Sequence, residues 1–428
     1  MAQLSPLRVY IVNQTVHWFI VGIGFPVLVL IALDKGLDIF QAGLALAFYS
    51  ATTIILELPT GGLADTIGRK RVYLISLSVT FVGYLALVVS WNLTTFAVAA
   101  TILGAARALS SGSVDAWFVD EFKRTSPGAD LQKALAKAGV FIPLGLAAGS
   151  LVGGVLPGVL GRFMNSIGTS VYSINFLTSA ALVVVQMFLT GILLHEAHHH
   201  RTQVGAIAGL KKAPEQVAIS VRYGLRNPVL LALTIATIGV GVGAMSVELL
   251  WQPRVKELMD ISQSTWVLGV LAAGYFLSLG IGSLASMPAC GLSKGRYAHV
   301  LTVARIAMGA ILVIMALQTT MLVFALLYFL LYFVNGIEGS PFSTMFNNEV
   351  PSKYRSTLLS FNSLTLQLGG LIGTLAFGYI AGSYSIGTAW EVAGALLMVS
   401  SLAYASLMFM KIRAQSCELP FEHEPGIP

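Results

Sequence analysis

Charged residues are scarce in this sequence. Of its 428 residues only 10% are Asp, Glu, Lys or Arg, whereas 56% are hydrophobic, and the mean hydropathy is +0.80. A soluble globular chain needs about a quarter of charged residues to cover its surface. The composition therefore excludes a soluble protein, for which this length would suggest about three domains. It predicts instead a protein that crosses a membrane many times.

Several signals of other function classes are also missing. The sequence contains no Walker A motif and no H-E-x-x-H motif, so ATP-driven transport and zinc-protease chemistry have no support. Residues 291–295 match G-x-S-x-G but lie in a predicted loop, whereas a nucleophile elbow needs a strand–turn–helix context. Cys290 and Cys417 fall in predicted cytoplasmic segments, where a structural disulfide is not expected. His195 and the histidines at 198–200 are interpreted as a solvated loop rather than a metal site.

Long apolar runs are what the sequence has instead. A hydrocarbon core of roughly 30 Å needs about 20 apolar residues in a helix. Twelve such runs are predicted, separated by short polar links: 9–33, 40–61, 72–91, 95–119, 134–160, 171–194, 229–251, 266–287, 300–317, 321–337, 358–380 and 386–410. The first run follows a single cation and has no small-residue cleavage site, so it is interpreted as a retained span.

The distribution of cations predicts the orientation of the spans. Nineteen of the 25 Lys and Arg residues fall in the termini and the alternate links on the same side, four fall in the opposite links, and Arg107 and Arg305 lie inside spans. Cations concentrate on the cytoplasmic side of membrane proteins. Both termini are therefore predicted to be cytoplasmic, in a multi-pass protein of the cell (inner or plasma) membrane.

The longest link divides the spans into two sets of six. Residues 195–227 form this linker, and 210–225 within it have helical amphipathic spacing, which predicts a helix on the inner membrane surface. The predicted units are thus 1–194, a six-helix bundle; the linker; 228–411, a second six-helix bundle; and a cytoplasmic tail, 412–428. Six spans per half give both halves the same orientation, as in transporters built from parallel repeats.

The link between the second and third spans, residues 61–71, carries a motif. It reads GGLADTIGRKR, and it is predicted to be a tight turn in which Asp65 caps a helix end. Gly61, Leu63, Ala64, Asp65, Gly68, Arg69 and Lys70 resemble the G-x-L-A-D-[RK]-x-G-R-[KR] signature of the major facilitator superfamily, with Thr66 where the family has a cation. The resemblance implies that family's fold, an all-α membrane protein of two six-helix bundles, and secondary transport by a monomer without a cofactor.

The resemblance also implies a cytoplasmic gate. Asp120 or Glu121, at the end of span four, would pair with Arg69, while Asp65 would meet the start of span eleven near Ser356. Gly68 and Lys70 complete the predicted gate. A carboxylate is favourable both beside a guanidinium and at a helix N-terminus, and the two contacts together would hold the halves against each other. A solvated charge cluster is the alternative interpretation.

Ionisable residues inside spans are candidates for proton coupling. Each costs about 2.5–3.5 kcal/mol to insert into a membrane, so such groups normally face a cavity and serve a function. Asp115 is the first candidate proton carrier, followed by Glu57 and Glu338. Arg107 resembles a span-four arginine that the superfamily uses in proton transfer, although the following glycine, Gly112, is one residue late. Arg107 and Asp115 are predicted to share one face of a continuous helix, about 12 Å apart along its axis. A purely structural ion pair is the alternative.

Span five predicts the direction of transport. Gly145, Gly149, Gly153 and Gly154 resemble the family's antiporter signature, with Ala136 and Ser150 as departures. The same spacing also suits close packing of helices. The predicted function is proton-driven export of a small amphiphilic organic compound or drug, with proton-coupled uptake of a nutrient as the alternative. A membrane-embedded enzyme or a receptor that does not transport are remote alternatives, and no nucleic-acid partner is expected.

Polar and aromatic residues in spans one, four, seven and ten are the predicted contacts to the solute, because the superfamily lines its cavity with these spans. They are Asn13, His17, Ser111, Thr237, Met245, Glu248, Tyr328, Tyr332 and Asn335. Aromatic rings, a methionine and a few polar groups suit an amphiphilic organic ligand. Packing between helices is the alternative for any one of them.

Overall fold

The computed structural model describes residues 5–111, 113–196, 226–261, 264–350 and 355–410. Every regular element in these ranges is helical, and twelve of the helical segments there are long and apolar enough to cross a membrane. The predicted fold class and number of spans are therefore confirmed. The predicted amphipathic helix at 210–225 and the tail at 412–428 lie outside the described residues.

The spans are numbered here in chain order. Span 1 comprises Pro6–Gly24, a 3-10 turn at Phe25–Val27, and Leu28–Asp34; spans 2 and 3 are Ile39–Ile67 and Arg69–Val89; span 4 comprises Leu93–Ser110 and Ser113–Thr125; spans 5 and 6 are Leu131–Ser166 and Ser173–Leu193. Spans 7 to 12 are Pro228–Leu258, Trp266–Leu292, Tyr297–Ala316, Met321–Glu349, Arg355–Ser383 and Ile386–Leu407. The end at which span 1 begins is called the near end, and the end at which it finishes is called the far end.

The predicted turn at residues 61–71 is mostly helix. Span 2 continues to Ile67, and span 3 begins at Arg69, so the connection is the single residue Gly68. Its φ of +101° explains the glycine, because side chains with a Cβ rarely adopt this conformation. The carboxylate of Glu196 accepts hydrogen bonds from the backbone N–H groups of Arg69 (3.0 Å) and Lys70 (3.3 Å) and so caps span 3. The side chain of Asp65, the predicted cap, lies outside the described part of the structure.

The helices pack as two halves with matching internal arrangements. In the first half span 1 packs on span 5, span 2 on span 4, and span 3 on span 6; in the second half span 7 packs on span 11, span 8 on span 10, and span 9 on span 12. Each pairing is reproduced by adding six to the span numbers, as expected for parallel repeats. The halves meet where span 5 packs on span 8 and where span 2 packs on span 11.

Side chains on the outer faces of the helices are apolar and exposed. Phe188, Ile192, Leu284 and Leu322 are among these residues, each about 70% exposed. In water such surfaces would promote aggregation. In a bilayer they contact lipid tails and leave no polar group without a hydrogen bond. We therefore interpret these outer faces as the surface that contacts lipid.

Candidate functional site

A cavity of about 300 Å³ lies within the first half, towards the near end. It is lined by side chains of span 1 (Tyr10, Gln14, His17, Trp18), span 3 (Tyr73), span 4 (Arg107, Ser110, Ser111, Asp115) and span 5 (Ile142). The structure thus brings together four of the predicted site residues: His17, Arg107, Ser111 and Asp115. The volume matches the lower end of small-molecule sites, about 300 Å³.

Span 4 is broken at this cavity, contrary to the prediction of one continuous helix. Its first helix ends at Ser110, and Ser111 (φ −57°, ψ 122°) leaves the helical conformation before a second helix begins at Ser113. Arg107 therefore lies in the last turn of one helix, and Asp115 lies in the first turn of the next. The dipole of a helix favours a cation at its C-terminus and an anion at its N-terminus. The break provides both positions beside one cavity.

Asp115 is exposed to the cavity and is held from span 1. Tyr10 donates a hydrogen bond to its Oδ1 atom at 2.7 Å, and Gln14 donates to the same atom at 3.0 Å. No described residue donates to Oδ2. The carboxylate is therefore oriented through one oxygen and keeps the other free for a proton.

Arg107 is exposed to the same cavity without an acidic partner. Its guanidinium carbon lies 5.7 Å from the centre of the Trp18 ring. Among the described residues it makes no ion pair, although a guanidinium has five N–H donors. The cavity therefore contains a permanent cation whose hydrogen-bonding groups are available to a solute.

Glu57 connects the two halves at the edge of this site. Its Oε1 atom accepts a hydrogen bond from Ser111 of span 4 at 3.3 Å, and its Oε2 atom accepts one from Gln367 of span 11 at 3.1 Å. A movement of one half against the other would break the second bond. Glu57 is therefore placed where proton uptake and the relative position of the halves can affect each other.

Glu338 lies elsewhere, in a closed ion pair inside the second half. Its carboxylate pairs with Arg305 of span 9 and accepts a hydrogen bond from the hydroxyl of Tyr404 at 2.5 Å. Arg305 is completely buried and also donates to the Ala236 carbonyl oxygen at 2.9 Å and to Ser400 at 3.0 Å. This group joins spans 7, 9, 10 and 12, and it does not line the cavity.

Three predicted solute contacts of the second half, Glu248, Tyr328 and Tyr332, belong to one cluster, which is called the aromatic cluster. The ring of Tyr332 lies 5.0 Å from that of Tyr328 and 3.8 Å from that of Tyr275, whose hydroxyl donates to Glu248 at 3.5 Å. Tyr275, on span 8, connects Glu248 to the two tyrosines of span 10 and was not predicted. The cluster faces the first half, because Tyr275 stacks on Phe25 of span 1 at 5.8 Å.

Asn13 and Thr237 are turned into the protein rather than towards the cavity. Asn13 is 2% exposed and donates to the Thr190 hydroxyl at 2.7 Å, which joins spans 1 and 6. Thr237 is 3% exposed, and its hydroxyl lies within hydrogen-bond distance of the Leu233 carbonyl oxygen of its own helix (2.9 Å) and of Oδ1 of Asn362 of span 11 (3.0 Å). The structure supports the packing alternative for both residues.

Met245 and Asn335 are partly exposed and do not line the cavity. Met245 lies against span 11, because a Cβ atom built on Gly370 would be 3.1 Å from its Cγ atom. Asn335 lies on span 10, one turn beyond Tyr332. Both positions are in the second half, which contributes no side chain to the cavity.

The predicted gate has one of its expected contacts. Arg69 pairs with Asp120 at 2.5 Å, whereas Glu121 pairs with Arg124 of its own helix, also at 2.5 Å. Lys70 donates to the Gly191 carbonyl oxygen at 2.8 Å. Since Arg69 and Asp120 both belong to the first half, their pair does not by itself hold the two halves together, and the predicted gate depends also on the contact of Asp65. Such exposed pairs contribute about 0–1 kcal/mol. The side chains of Asp65 and Ser356 lie outside the described residues.

At the far end the two halves touch directly. A Cβ atom built on Gly154 of span 5 would lie 2.6 Å from the Cα atom of Gly269 of span 8. The rings of Phe40 on span 2 and Tyr379 on span 11 lie 6.1 Å apart. Small residues allow helices to approach this closely, so the far end is closed in this structure.

The glycines of span 5 are used in packing. Cβ atoms on Gly145, Gly149 and Gly153 would collide with the backbone of span 1 at Thr15, Phe19 and Ile23 respectively. Together with Gly154, these contacts explain each glycine of the predicted antiporter signature sterically. The spacing therefore carries no separate information on the direction of transport.

Several lining residues could have been found from a helical pattern. Tyr10, Gln14 and His17 are spaced i, i+4 and i+7, which places them on one face of span 1. The ionisable groups of the spans stand out in the sequence because of their charge, whereas Gln14 and the aromatic side chains of the lining do not. The signal for the rest of the lining is a helix face on which uncharged polar and aromatic residues recur at helical spacing.

A second depression, on the outer face of span 5, has no polar chemistry. Its lining is aliphatic: Leu151, Val152, Val155, Leu156 and Val159. Such a surface suits the acyl chains of lipids. This depression is therefore not a candidate for the solute site.

The chain is similar in sequence and fold to known transporters. The profile of the Major Facilitator Superfamily matches residues 11–374. The MFS-type transporter YxaM of Bacillus subtilis (strain 168), itself uncharacterized, is 22% identical over 391 residues, which cover 90% of this chain and 91% of YxaM. The crystal structure of the nucleoside transporter NupG superposes with a TM-score of 0.75 and 13% identity over 95% of this chain and 100% of NupG. The crystal structure of a mutant of NupG gives a TM-score of 0.69 and 13% identity over 94% of this chain.

Proposed function

This chain belongs to the major facilitator superfamily and is a membrane transporter rather than an enzyme, and from that premise we propose that it couples the movement of a small organic solute to protons. The observation that carries the proposal is Asp115. It is the single carboxylate among the described residues of the cavity, and it is held by Tyr10 and Gln14 through one oxygen only. A carboxylate in such a place can take up a proton from one side of the membrane and release it to the other.

Alternating access is the mechanism that these contacts support. The far end is closed by contacts between the halves, whereas the cavity with Asp115 and Arg107 lies towards the near end. Rocking of one half against the other would separate span 5 from span 8 and expose the cavity to the opposite side. In parallel-repeat transporters the solute site lies near the membrane midplane, between the repeats. The aromatic cluster around Tyr275 is the surface of the second half that would meet the solute there.

Arg107 favours a solute with an acidic group. A guanidinium forms paired, charge-assisted hydrogen bonds with carboxylate, sulfonate or phosphate oxygens. Trp18 and Ile142 add an apolar wall beside it. We infer that the solute is a small amphiphilic anion with an apolar or aromatic body.

Two directions of transport remain candidates, and the charges of the cavity rank them. An anion held by Arg107 would repel a charged Asp115, so binding of the anion and protonation of Asp115 should promote each other. Of the other groups beside Asp115, Tyr10, Gln14 and Tyr73 carry no charge near neutral pH. If solute and proton promote each other's binding, they move in the same direction. Proton-coupled uptake of the solute is therefore the first candidate. Export in exchange for protons, the direction predicted from the sequence, is the second candidate.

Proton movement in liposomes tests this function. The purified protein is placed in sealed liposomes that contain a pH-sensitive dye, and benzenesulfonate or benzyltrimethylammonium is added outside; neither ion crosses lipid readily, because each has a fixed charge. We expect benzenesulfonate to acidify the interior, since anion and proton enter together. Alkalinisation by benzyltrimethylammonium would support export by exchange instead. Movement of either probe without any proton movement would contradict the proposal.

Replacement of Arg107 tests the chemistry of the solute. Arg107→Gln should weaken binding of benzenesulfonate about tenfold to 100-fold, because a hydrogen bond to a charged group contributes about 1.5–3 kcal/mol. Arg107→Lys should weaken it less, since the charge stays but the paired geometry is lost. Binding is measured by isothermal titration calorimetry in detergent, with the exposed Arg162→Gln as a control. Equal affinity of Arg107→Gln and the unaltered protein would contradict an anionic solute.

A further inference from the structure

Span 1 is interrupted at the point where it meets the second half. In a regular helix the N–H group of Val29 would bond to the carbonyl oxygen of Phe25, four residues earlier. Here the N–H group of Val29 donates to Oε1 of Gln252, at 2.8 Å. The Nε2 atom of the same side chain donates to the carbonyl oxygen of Phe25, also at 2.8 Å. The amide of Gln252, on span 7, therefore occupies the place of one backbone hydrogen bond of span 1.

Pro26 does not account for this arrangement. Proline lacks an N–H group, so it removes the bond that residue 26 would make to the carbonyl oxygen of Gly22. The bond between Phe25 and Val29 lies beyond it and has both its donor and its acceptor. A side chain inserted into the backbone ladder is a known cause of a helix break. Gln252 thus explains the part of the interruption that the proline leaves unexplained.

The contact is dry and joins the two halves. Gln252 is 2% exposed and Val29 is also 2% exposed, while the ring of Phe25 stacks on those of Tyr275 and Trp251 at 5.8 Å and 6.2 Å. A buried amide without partners would cost more than the bonds themselves contribute, so the pairing depends on the halves staying in contact.

We propose that Gln252 is the positioning residue that holds the far end closed, and that its withdrawal lets Phe25 and Val29 bond to each other. While the halves touch, the amide satisfies both backbone groups of span 1. When the halves separate, those groups can satisfy each other and the amide can be hydrated, so neither side is left with an unpaired buried group. The exchange of partners gives the protein two states with fully bonded backbones. The inference rests on alternating access, and it does not depend on the proton site or on the solute.

Distances between spin labels at the far end test the proposal. Trp91, between spans 3 and 4, and Tyr384, between spans 11 and 12, are 73% and 75% exposed and belong to different halves. Both are replaced by cysteine for labelling in a chain with Cys290→Ser and Cys417→Ser. Gln252→Met retains the size of the side chain but neither hydrogen bond. We expect it to raise the ratio of open to closed far ends about fivefold to 100-fold, seen as a longer-distance population.

Two further variants complete the experiment. Gln252→Glu can still accept from Val29, but its charged carboxylate would face the carbonyl oxygen of Phe25 in a dry contact, so it should also favour the open far end. Gln318→Met is the matched control: Gln318 follows span 9, and among the described residues its side chain donates only to the carbonyl oxygen of Ile314 in that span. This variant should leave the distances unchanged. An unchanged distance distribution in Gln252→Met and Gln252→Glu, with or without a lower melting temperature, would overturn the proposal. Since no solute or pH gradient is used, failure of proton coupling would leave this result unaffected.

Discussion

Asp115→Asn should abolish proton-coupled transport while the protein still folds and binds its solute. Asparagine has the same shape and keeps an oxygen to accept from Tyr10 and Gln14, which hold Asp115 at 2.7 Å and 3.0 Å. It cannot take up and release a proton. In the liposome experiment the dye should report no solute-driven change in pH. Exchange of labelled benzenesulfonate across the membrane should continue, because exchange needs no net proton movement.

Two variants make this result specific. Asp38→Asn is a neutral control, since Asp38 caps span 2 in an exposed position and asparagine caps helices equally well. Glu57→Gln compares the second candidate carrier directly, because glutamine can still accept from Ser111. We expect proton coupling to survive in both. Coupling that survives in Asp115→Asn but disappears in Glu57→Gln would assign the proton to Glu57 instead.

Arg305→Met should destabilise the second half strongly. The change leaves the carboxylate of Glu338, which is 6% exposed, without its cation. Removal of one partner from a buried ion pair costs about 3–5 kcal/mol, because the remaining charge is desolvated and uncompensated. We therefore expect a much lower melting temperature in detergent and a smaller yield of monodisperse protein. An unchanged melting temperature would mean that the buried pair does not stabilise the fold.

The double variant Arg305→Met, Glu338→Gln tests whether the ion pair only stabilises the fold or also takes part in proton coupling. It removes both charges and leaves Tyr404 a partner at position 338, so most of the lost stability should return. Since Glu338 lies outside the cavity, we also expect the double variant to keep proton-coupled transport. A folded double variant without proton coupling would make Glu338 part of the proton path, as the sequence suggested.

The spans were predictable because the bilayer imposes a simple condition on them. Every apolar run of sufficient length became a helix, since unpaired backbone groups cannot be left in lipid. The predicted and observed helices differ mainly where a helix is interrupted. The link at residues 61–71 contains several glycines, yet only Gly68 is needed for the turn, and Ser111 breaks span 4 although nothing in its own side chain forbids a helix. Local propensity is a weak guide where the packing of neighbouring spans decides the conformation.

The site was predictable in part, for a related reason. Arg107 and Asp115 stand out in the sequence because charge is expensive in an apolar span. Glu338 stands out equally, and its sequence neighbours do not reveal that Arg305, 33 residues earlier, neutralises it. Whether a charge faces a cavity or a partner depends on residues of other helices. Tyr10, Gln14 and Gln252 carry no charge, so nothing in the sequence distinguishes them from residues that only pack between helices.

The sequence by itself determined the class of the protein, the number of its spans, and the residues whose charge needs an explanation. These follow from the free-energy cost of placing polar groups in hydrocarbon. That cost depends on the composition of each segment by itself. Only the tertiary structure decided which charges share a cavity, which are neutralised, and which side chains cross between the halves. Those outcomes depend on distances of a few ångströms between helices that are far apart in the chain, and hydrogen bonds and ion pairs lose their strength over such distances.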